Sequence, residues 1–433
     1  MTDPLLLEQQ EVQGSEPEPR PQPMVTLTWI GVFLFCCAYF FRPGDFIPPI
    51  APIPLAKITG IFGAVALVVS LTMGGAKLRK EAKLMLLLLG YFVLCVPFSN
   101  WRGGSSDLIF NVFAKTLLIA IAAIVSVGNL KRLQKLMCVQ IFAMLFLCLM
   151  ALGQGKVGGR MYGVGNLFGD PNDFALNLCV VLPFAIAFLL MSKNLFGKIF
   201  WLGASGIFLL GIVSSGSRGG FLALLAVTAA MTRKFAKGIG SAIGVLLLVV
   251  VMGGGAIVAV GATAFLDRMA TILSPSTDPN GSAQARKELL ISSLEYTAKN
   301  PIFGMGPGQF ENLQGVWHQT HNTYTQISAE AGIPTLIIFI LLLRLTFKNL
   351  KNAQFEPGTR EYYLSKGIYC SMFAYLVGAF FLSTAYLFYP YLLMAYASSM
   401  AQIKERQSPV PLTEPSTSDE VSSEAVINTW GEA

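Results

Sequence analysis

Apolar runs of near membrane-spanning length recur along the chain and constrain its fold more than any other feature. A transmembrane helix needs about 20 mainly apolar residues to cross about 30 Å of hydrocarbon. Only 13% of the residues are charged, against about 25% in a typical soluble domain. The sequence therefore predicts an all-α polytopic membrane protein with about twelve transmembrane helices and one large outward-facing helical loop. The predicted spans lie at about 25–41, 53–72, 83–99, 108–128, 134–152, 173–191, 198–213, 219–232, 239–262, 323–345, 367–384 and 386–402.

The distribution of Lys and Arg predicts the orientation of these spans, because cytoplasmic loops are enriched in both residues. With the N-terminus inside, the inward segments at 77–83, 131–135, 193–198, 233–237, 344–366 and 404–406 hold 19 cations. The short outward loops hold 6, namely Arg42, Lys57, Arg102, Lys156, Arg160 and Arg218. We therefore expect both termini in the cytoplasm and the loop at 263–322 on the outside.

The two ends of the chain differ in composition from its apolar body. Residues 1–23 are rich in Glu, Pro and Gln, and residues 404–433 are rich in Ser, Glu and Pro. Such segments bury too little apolar surface to order themselves, so we expect disordered cytoplasmic tails around one membrane domain at 24–403. The net charge of +7 follows from the loop cations, and no nucleic-acid-binding motif accompanies it.

The seven cysteines all fall within apolar runs. None has an outward-facing partner at a spacing typical of a disulfide framework or a metal cluster. We therefore expect small packing residues, at Cys36, Cys37, Cys95, Cys138, Cys148, Cys179 and Cys370.

A His–Asn pair stands directly before the tenth apolar run, in a chain with only two histidines. If the helix begins at Asn322, His321 shares one helical stripe with small residues, a face against which another helix can pack closely. An imidazole at the membrane boundary is a candidate acid or base, and a helix-capping or interfacial histidine is the alternative. The rest of the stripe is Thr325, Ser328, Gly332 and Thr335.

Two arginines in outward segments are candidate anion-binding residues. Arg218 lies in a small-residue turn at 214–220, where glycine N–H groups can approach a phosphate oxygen; a snorkelling arginine is the alternative. Arg286 lies near the start of a predicted amphipathic helix at 282–300, where a cation opposes the helix dipole. A ligand bound by Arg286 would explain this conflict, and an ordinary solvated charge is an equally good explanation. A Gly/Pro-rich turn at 300–310 then ends the helix and is expected to fold the loop back towards His321.

Other outward polar residues are weaker candidates. Arg160, in a Gly-rich stretch, would add a further anion contact. Asp170, Asn172 and Asp173 are expected to form the turn and N-cap of the sixth span instead of a catalytic group.

Glu330 is a secondary candidate acid or base, or the partner of an outward-facing arginine. A helix kink is expected nearby, because Pro334 removes a helical hydrogen bond. His318 and His321 would make a poor zinc site, since no third ligand is near. The sequence therefore predicts neither a metal nor a cofactor.

Together these residues resemble a known superfamily. The pattern of His321-Asn322, nine residues, Gly332, two residues and Thr335 is similar to a signature of O-antigen ligases, O-antigen polymerases and bacterial protein O-oligosaccharyltransferases. The resemblance covers about residues 25–402 and leaves out the tails. Two further elements share it: Ser217-Arg218-Gly219-Gly220, and Arg286 followed by Pro301-x-x-Gly304-x-Gly306-Pro307-Gly308-x-Phe310.

The resemblance implies a metal-independent, inverting glycosyltransferase on the periplasmic side of the bacterial inner membrane. The donor would be a glycan on undecaprenyl diphosphate, and the acceptor a hydroxyl on lipid A–core, a growing glycan or a protein. Arg218 and Arg286 would hold the diphosphate. His321 would act as general base or orient the acceptor, with Asn322 beside it.

A transporter or flippase of lipid-linked glycans is the alternative, because it would also combine many spans with intramembrane cations. Transporters often contain internal repeats with broken helices at matching positions. No such repeat is visible in this sequence, which favours the enzyme.

Overall fold

The computed structural model describes residues 23–73, 76–157, 159–235, 239–272, 281–312 and 319–407. Within these ranges the chain forms helices joined by turns and contains no β-strand. Eight of the described helices are long and apolar enough to cross a membrane. The protein is therefore an all-α, multi-pass membrane protein, as the sequence predicts, whereas the number of twelve spans stays a prediction.

The helices follow the predicted apolar runs along the chain. The first part comprises α1 (Pro23–Phe41), α2 (Leu55–Thr72), α3 (Lys80–Cys95), α4 (Arg102–Ser126), α5 (Leu130–Gln154), α6 (Pro171–Met191) and α7 (Leu195–Ser215). The second part comprises α8 (Arg218–Phe235), α9 (Ile239–Val260), α10 (Ala262–Ala270), α11 (Ser282–Lys299), α12 (Thr323–Asn352), α13 (Arg360–Gly378) and α14 (Phe388–Gln407). The eight candidate spans are α1 to α7 and α12.

The helices α6 and α14 form the centre of the bundle. Almost every side chain of α14 is buried, and α6 is buried along most of its length, between α7 and α13. A helix buried on most of its faces lies inside the bundle, whereas a helix at the edge of the bundle leaves an apolar face uncovered by protein. The seven cysteines are free thiols, buried or half-buried in the helices α1, α3, α5, α6 and α13.

The predicted inward segments meet at one end of the bundle. Arg79 donates to both carboxylate oxygens of Glu405, at 2.7 and 2.8 Å, and Arg406 donates to the Gly128 carbonyl at 2.8 Å. At the opposite end, the Asn100 N–H donates to the Met305 carbonyl at 2.9 Å. These contacts join the segments around 79, 128 and 405–406 at one end and those around 100 and 305 at the other. The alternation of all the predicted spans, and which end faces the cytoplasm, stay predictions.

Several predicted boundaries differ from the helices by a few residues, and two of these differences bear on the site and on the tails. The eleventh span ends at Gly378 instead of 384, because the residues at 379–387 form turns that hydrogen-bond to the start of α12. The last helix reaches Gln407, so residues 404–407 belong to the bundle and not to a tail. Glu405 and Arg406 order this end through the contacts just described. Residues 1–22 and 408–433, where the tails are predicted, lie outside the described residues.

The predicted outward loop at 263–322 holds most of α10, the whole of α11 and a turn at 300–310. The amphipathic helix predicted at 282–300 is confirmed as α11, Ser282–Lys299. Residues 273–280 and 313–318, including His318, lie outside the described residues. This loop and the turn at 379–387 cover the N-terminal ends of α8 and α12, where the candidate site lies.

Candidate active site

His321 lies immediately before α12, in a left-handed backbone conformation that residues other than glycine rarely adopt (φ 51°). Its N–H donates to the Ser383 hydroxyl oxygen at 3.0 Å. Asn322 is the N-cap, since its side-chain oxygen accepts from the N–H groups of Tyr324 and Thr325 at 3.0 and 3.1 Å. His321 therefore neither caps the helix nor shares a stripe with Thr325. That prediction is wrong because the helix begins two residues after the histidine.

A chain of hydroxyl groups fixes the His321 segment against the turn that follows α13. The Thr320 hydroxyl donates to the Asn322 carbonyl at 2.9 Å. Because that proton is engaged, the Ser383 hydroxyl donates to the Thr320 oxygen, also at 2.9 Å. The Thr323 hydroxyl donates to the Leu382 carbonyl at 2.6 Å. These bonds over-determine the backbone around His321, as a strained conformation requires.

Arg218 is the first residue of α8. The preceding Ser217 caps this helix, because its hydroxyl oxygen accepts from the Gly220 N–H at 3.0 Å. The Arg218 guanidinium donates to the Thr271 hydroxyl at 2.9 Å and also to the Ser282 hydroxyl. It thus joins the end of α10 and the start of α11 to α8. A helix N-terminus already favours an anion, and Arg218 adds a full positive charge there.

Two adjoining cavities of about 310 and 330 Å³ open between these elements. Arg218, Arg286 and His321 line both, so they stand at the boundary between the two. The structure therefore brings together the three residues that the sequence predicts for the site. What we call the apolar cavity is lined mainly by Leu222, Ile272, Leu290, Phe380 and Phe381, with Lys287. What we call the polar cavity is lined also by Arg160, Asp170, Asn172, Arg268 and Ser282.

Arg160 lies in the wall of the polar cavity. Its guanidinium donates to the Ser215 carbonyl and to the Asn172 side-chain oxygen, both at 3.0 Å. The same oxygen of Asn172 accepts from the Ser217 hydroxyl at 2.8 Å. Burial, together with the nearby Arg268 guanidinium, lowers the pKa of Arg160. Arg160 therefore braces the turn that begins α8 while adding positive charge to the cavity wall.

Asp170 is the N-cap of α6, as the sequence predicts. Its carboxylate accepts from the N–H groups of Asn172 and Asp173 at 2.7 and 3.3 Å, and Pro171 occupies the first helical position. Asp170 also lines the polar cavity, where it partly offsets the positive charge of the arginines.

Glu330 lies away from the site: it is 1% exposed and lines neither cavity. Its carboxylate accepts from the backbone N–H groups of Gly308 and Phe310 at 3.0 and 3.4 Å, and from the Tyr386 hydroxyl at 2.6 Å. Its hydrogen-bond partners are thus backbone amides and a tyrosine instead of the outward-facing arginine considered from sequence. Glu330 ties the turn at 300–310 to α12, which explains how the loop folds back beneath the site.

Gly332 interrupts α12 with φ 83° and ψ 169°, two residues before Pro334, where a kink is expected. An added Cβ at Gly332 would collide with the carbonyl of Ile302. Its small size therefore admits the backbone of the turn at 301–302, and not another helix as the sequence suggested. Thr335 is buried, and its hydroxyl donates to the carbonyl four residues earlier at 2.7 Å.

Several residues of the site carry no local sequence signal. Ser383, Phe380 and Phe381 fall in a stretch that reads as part of an apolar span. Arg268 reads as an ordinary charge at the end of a short helix. Only the fold brings them beside His321, and Ser383 reaches it across 62 positions of chain.

The site combines guanidinium groups, an imidazole and an apolar wall. This combination suits an amphipathic, anionic ligand, because guanidinium groups pair with phosphate oxygens and apolar side chains cover a lipid chain. Within the described ranges, no three His, Cys, Asp or Glu side chains cluster closely enough to hold a metal ion.

One comparison with known proteins finds a similarity over part of the chain. Residues 203–340 match the family model described as O-antigen ligase. The matched segment covers about a third of the chain and includes Arg218, Arg286 and His321. No curated protein matches the sequence.

Proposed function

We propose a glycan-transfer reaction for this chain, whose residues 203–340 match the O-antigen ligase family model. That family supports a ligase- or polymerase-type glycosyltransferase with a lipid-linked donor and an acceptor at the membrane. In our proposal the donor is a glycan on undecaprenyl diphosphate. The acceptor is a hydroxyl group of lipid A–core, a growing glycan or a protein, and transfer takes place on the periplasmic side of the inner membrane.

The observation that carries this proposal is the shared boundary of the two cavities, lined by Arg218, Arg286 and His321. Glycosyl transfer from a lipid diphosphate needs cations at the leaving group and a base at the acceptor. Both kinds of group stand here within one site, next to an apolar wall that suits the lipid.

The proposed chemistry follows from these positions. The neutral His321 imidazole takes the proton of the acceptor hydroxyl as its oxygen attacks the anomeric carbon of the donor sugar. The bond from that carbon to the phosphate oxygen breaks, and the oxygen keeps the electron pair. Arg218 and Arg286 stabilise the charge that develops there, and the N-terminus of α8 assists them. Attack opposite the leaving group inverts the anomeric configuration without a metal.

The test is transfer by the purified protein in detergent, with a radiolabelled glycan on undecaprenyl diphosphate and a candidate acceptor. An enzyme forms the transferred product without a sealed membrane. A transporter of lipid-linked glycans releases no lipid diphosphate under these conditions, so absence of transfer with every acceptor class would overturn the proposal. The acceptor that reacts distinguishes a ligase, a polymerase and a protein glycosylation enzyme.

A further inference from the structure

The two cavities differ in chemistry on either side of the boundary formed by Arg218, Arg286 and His321. The apolar cavity has a wall of aliphatic and phenyl side chains. Arg268 lines the polar cavity and is absent from the wall of the apolar one. A lipid-linked glycan has the same order of chemistry along its length: an apolar chain, two phosphoryl groups and then sugars.

Arg268 is held firmly in this wall. Its Nε donates to the Gly216 carbonyl at 2.6 Å, in the turn between α7 and α8. Gly216 leaves room for the arginine stem, since an added Cβ would lie 3.2 Å from the Arg268 Cδ. The Thr271 hydroxyl donates to the Arg268 carbonyl at 2.7 Å and accepts from Arg218 at 2.9 Å. Thr271 thereby couples the guanidinium of Arg218 to the backbone that carries Arg268.

We propose that this geometry fixes the direction of the bound donor and assigns Arg268 to its second phosphoryl group. The isoprenoid chain lies in the apolar cavity, and the phosphoryl group next to the lipid lies between Arg218 and Arg286. The phosphoryl group bonded to the sugar lies against Arg268 in the polar cavity. This inference rests on the proposed function, because it presumes a lipid diphosphate donor.

The assignment has a consequence for the reaction. When the bond between the anomeric carbon and oxygen breaks, the new negative charge develops on the sugar-linked phosphoryl group. Arg268 then acts on the group whose charge changes, and a guanidinium can grip two of its oxygens at once. Arg218 and Arg286, on the neighbouring phosphoryl group, bring the donor to the site and stabilise the same developing charge from a greater distance.

The experiment compares two ligands that differ by the second phosphoryl group. Dissociation constants for undecaprenyl monophosphate and undecaprenyl diphosphate are measured with the full-length protein in detergent. We expect Arg268→Ala to weaken diphosphate binding about ten-fold or more, the scale of one lost charge-assisted contact, and to leave monophosphate binding within about two-fold. Arg268→Lys should restore part of the diphosphate affinity.

Lys287→Ala is the matched control, because it removes one positive charge from the wall of the apolar cavity. It should change both affinities by the same factor and leave their ratio intact. If Arg268→Ala lowers the yield of folded protein, Arg268→Gln replaces it, because glutamine keeps a hydrogen-bond donor without the charge. The expected ratio of diphosphate to monophosphate affinity is the same for both variants.

Three outcomes would overturn the inference. Arg268 does not bind the second phosphoryl group if Arg268→Ala weakens the binding of both ligands equally, or if it weakens the binding of neither. The assigned direction also fails if the wild-type protein binds the diphosphate no more tightly than the monophosphate. Wild-type protein that binds neither ligand would instead contradict the proposed function itself.

Discussion

Removal of one hydroxyl group, in Ser383→Ala, tests whether the backbone strain at His321 serves transfer. The Ser383 oxygen is the acceptor of the His321 N–H at 3.0 Å, and His321 holds a φ of 51°. A conformation of this kind costs on the order of 1–3 kcal/mol and persists only where surrounding contacts enforce it. Alanine removes the acceptor and leaves the N–H unsatisfied.

The expected size of the effect follows from that lost bond. An unsatisfied buried N–H costs about 1–3 kcal/mol, and His321 is only half-buried, so water can replace part of the bond. We therefore expect about 1–2 kcal/mol, which corresponds to a reduction in kcat of about five- to thirty-fold. The KM for the donor should not change, because Arg218 and Arg286, which hold the donor in this account, remain in place.

The assay is steady-state transfer per folded molecule, in the wild-type and in the His321→Ala background. Ser383→Ala should lower kcat only where the histidine is present, and Ser383→Thr should restore the rate. The matched control is Ser371→Ala on α13, whose buried hydroxyl donates to the Val180 carbonyl at 2.6 Å and which lines neither cavity. Equal losses from Ser383→Ala in both backgrounds, or a raised donor KM, would refute the argument that Ser383 acts by positioning His321.

Three further predictions concern the arginines, the loop and the topology. Arg218→Ala and Arg286→Ala should each reduce transfer ten-fold or more, about the effect of a lost charge-assisted contact. The amount of each variant protein in the membrane should equal that of the wild type. Full activity in either variant would mean that the arginine is an ordinary surface charge. Glu330→Ala should lower the thermal unfolding temperature, because the Glu330 carboxylate holds the turn at 300–310, and should leave kcat per folded molecule within about two-fold. A large loss of kcat would instead indicate that Glu330 acts as an acid or base. A reporter active only in the periplasm should be on when fused near Asn280 and off near Lys351, and the reverse result would break the predicted orientation.

Most of the fold was predictable because most of the apolar runs approach membrane-spanning length and cations cluster at their predicted inward ends. The failures lie where an apolar sequence does not form a helix. The stretch at 379–387 reads as the end of a span, yet the carbonyls of Ala379 and Leu382 and the N–H of Thr384 pair with Thr323 at the start of α12 instead of continuing a helix. Hydropathy does not distinguish these two ways of satisfying a backbone.

The candidate site also contains residues that the sequence reveals and residues that it does not. Arg218 and His321 were accessible from sequence because they stand in polar segments beside apolar runs, and Arg286 because its charge opposes the dipole at the start of a predicted helix. The role of Glu330 was not, since a carboxylate near a helix start looks the same whether it faces a cavity or binds the Gly308 and Phe310 amides. Arg268 needed the turn at Gly216 to bring it into the site.

The most direct test of the account is His321→Ala, with transfer measured per folded molecule and donor binding measured on the same preparation. General-base catalysis contributes about 10²- to 10⁴-fold, so transfer should fall at least a hundred-fold. The dissociation constant for undecaprenyl diphosphate should stay within about three-fold of wild type, because the arginines that hold it remain. Near-wild-type transfer by the folded His321→Ala protein would contradict the central claim that this imidazole performs or directly orients the transfer.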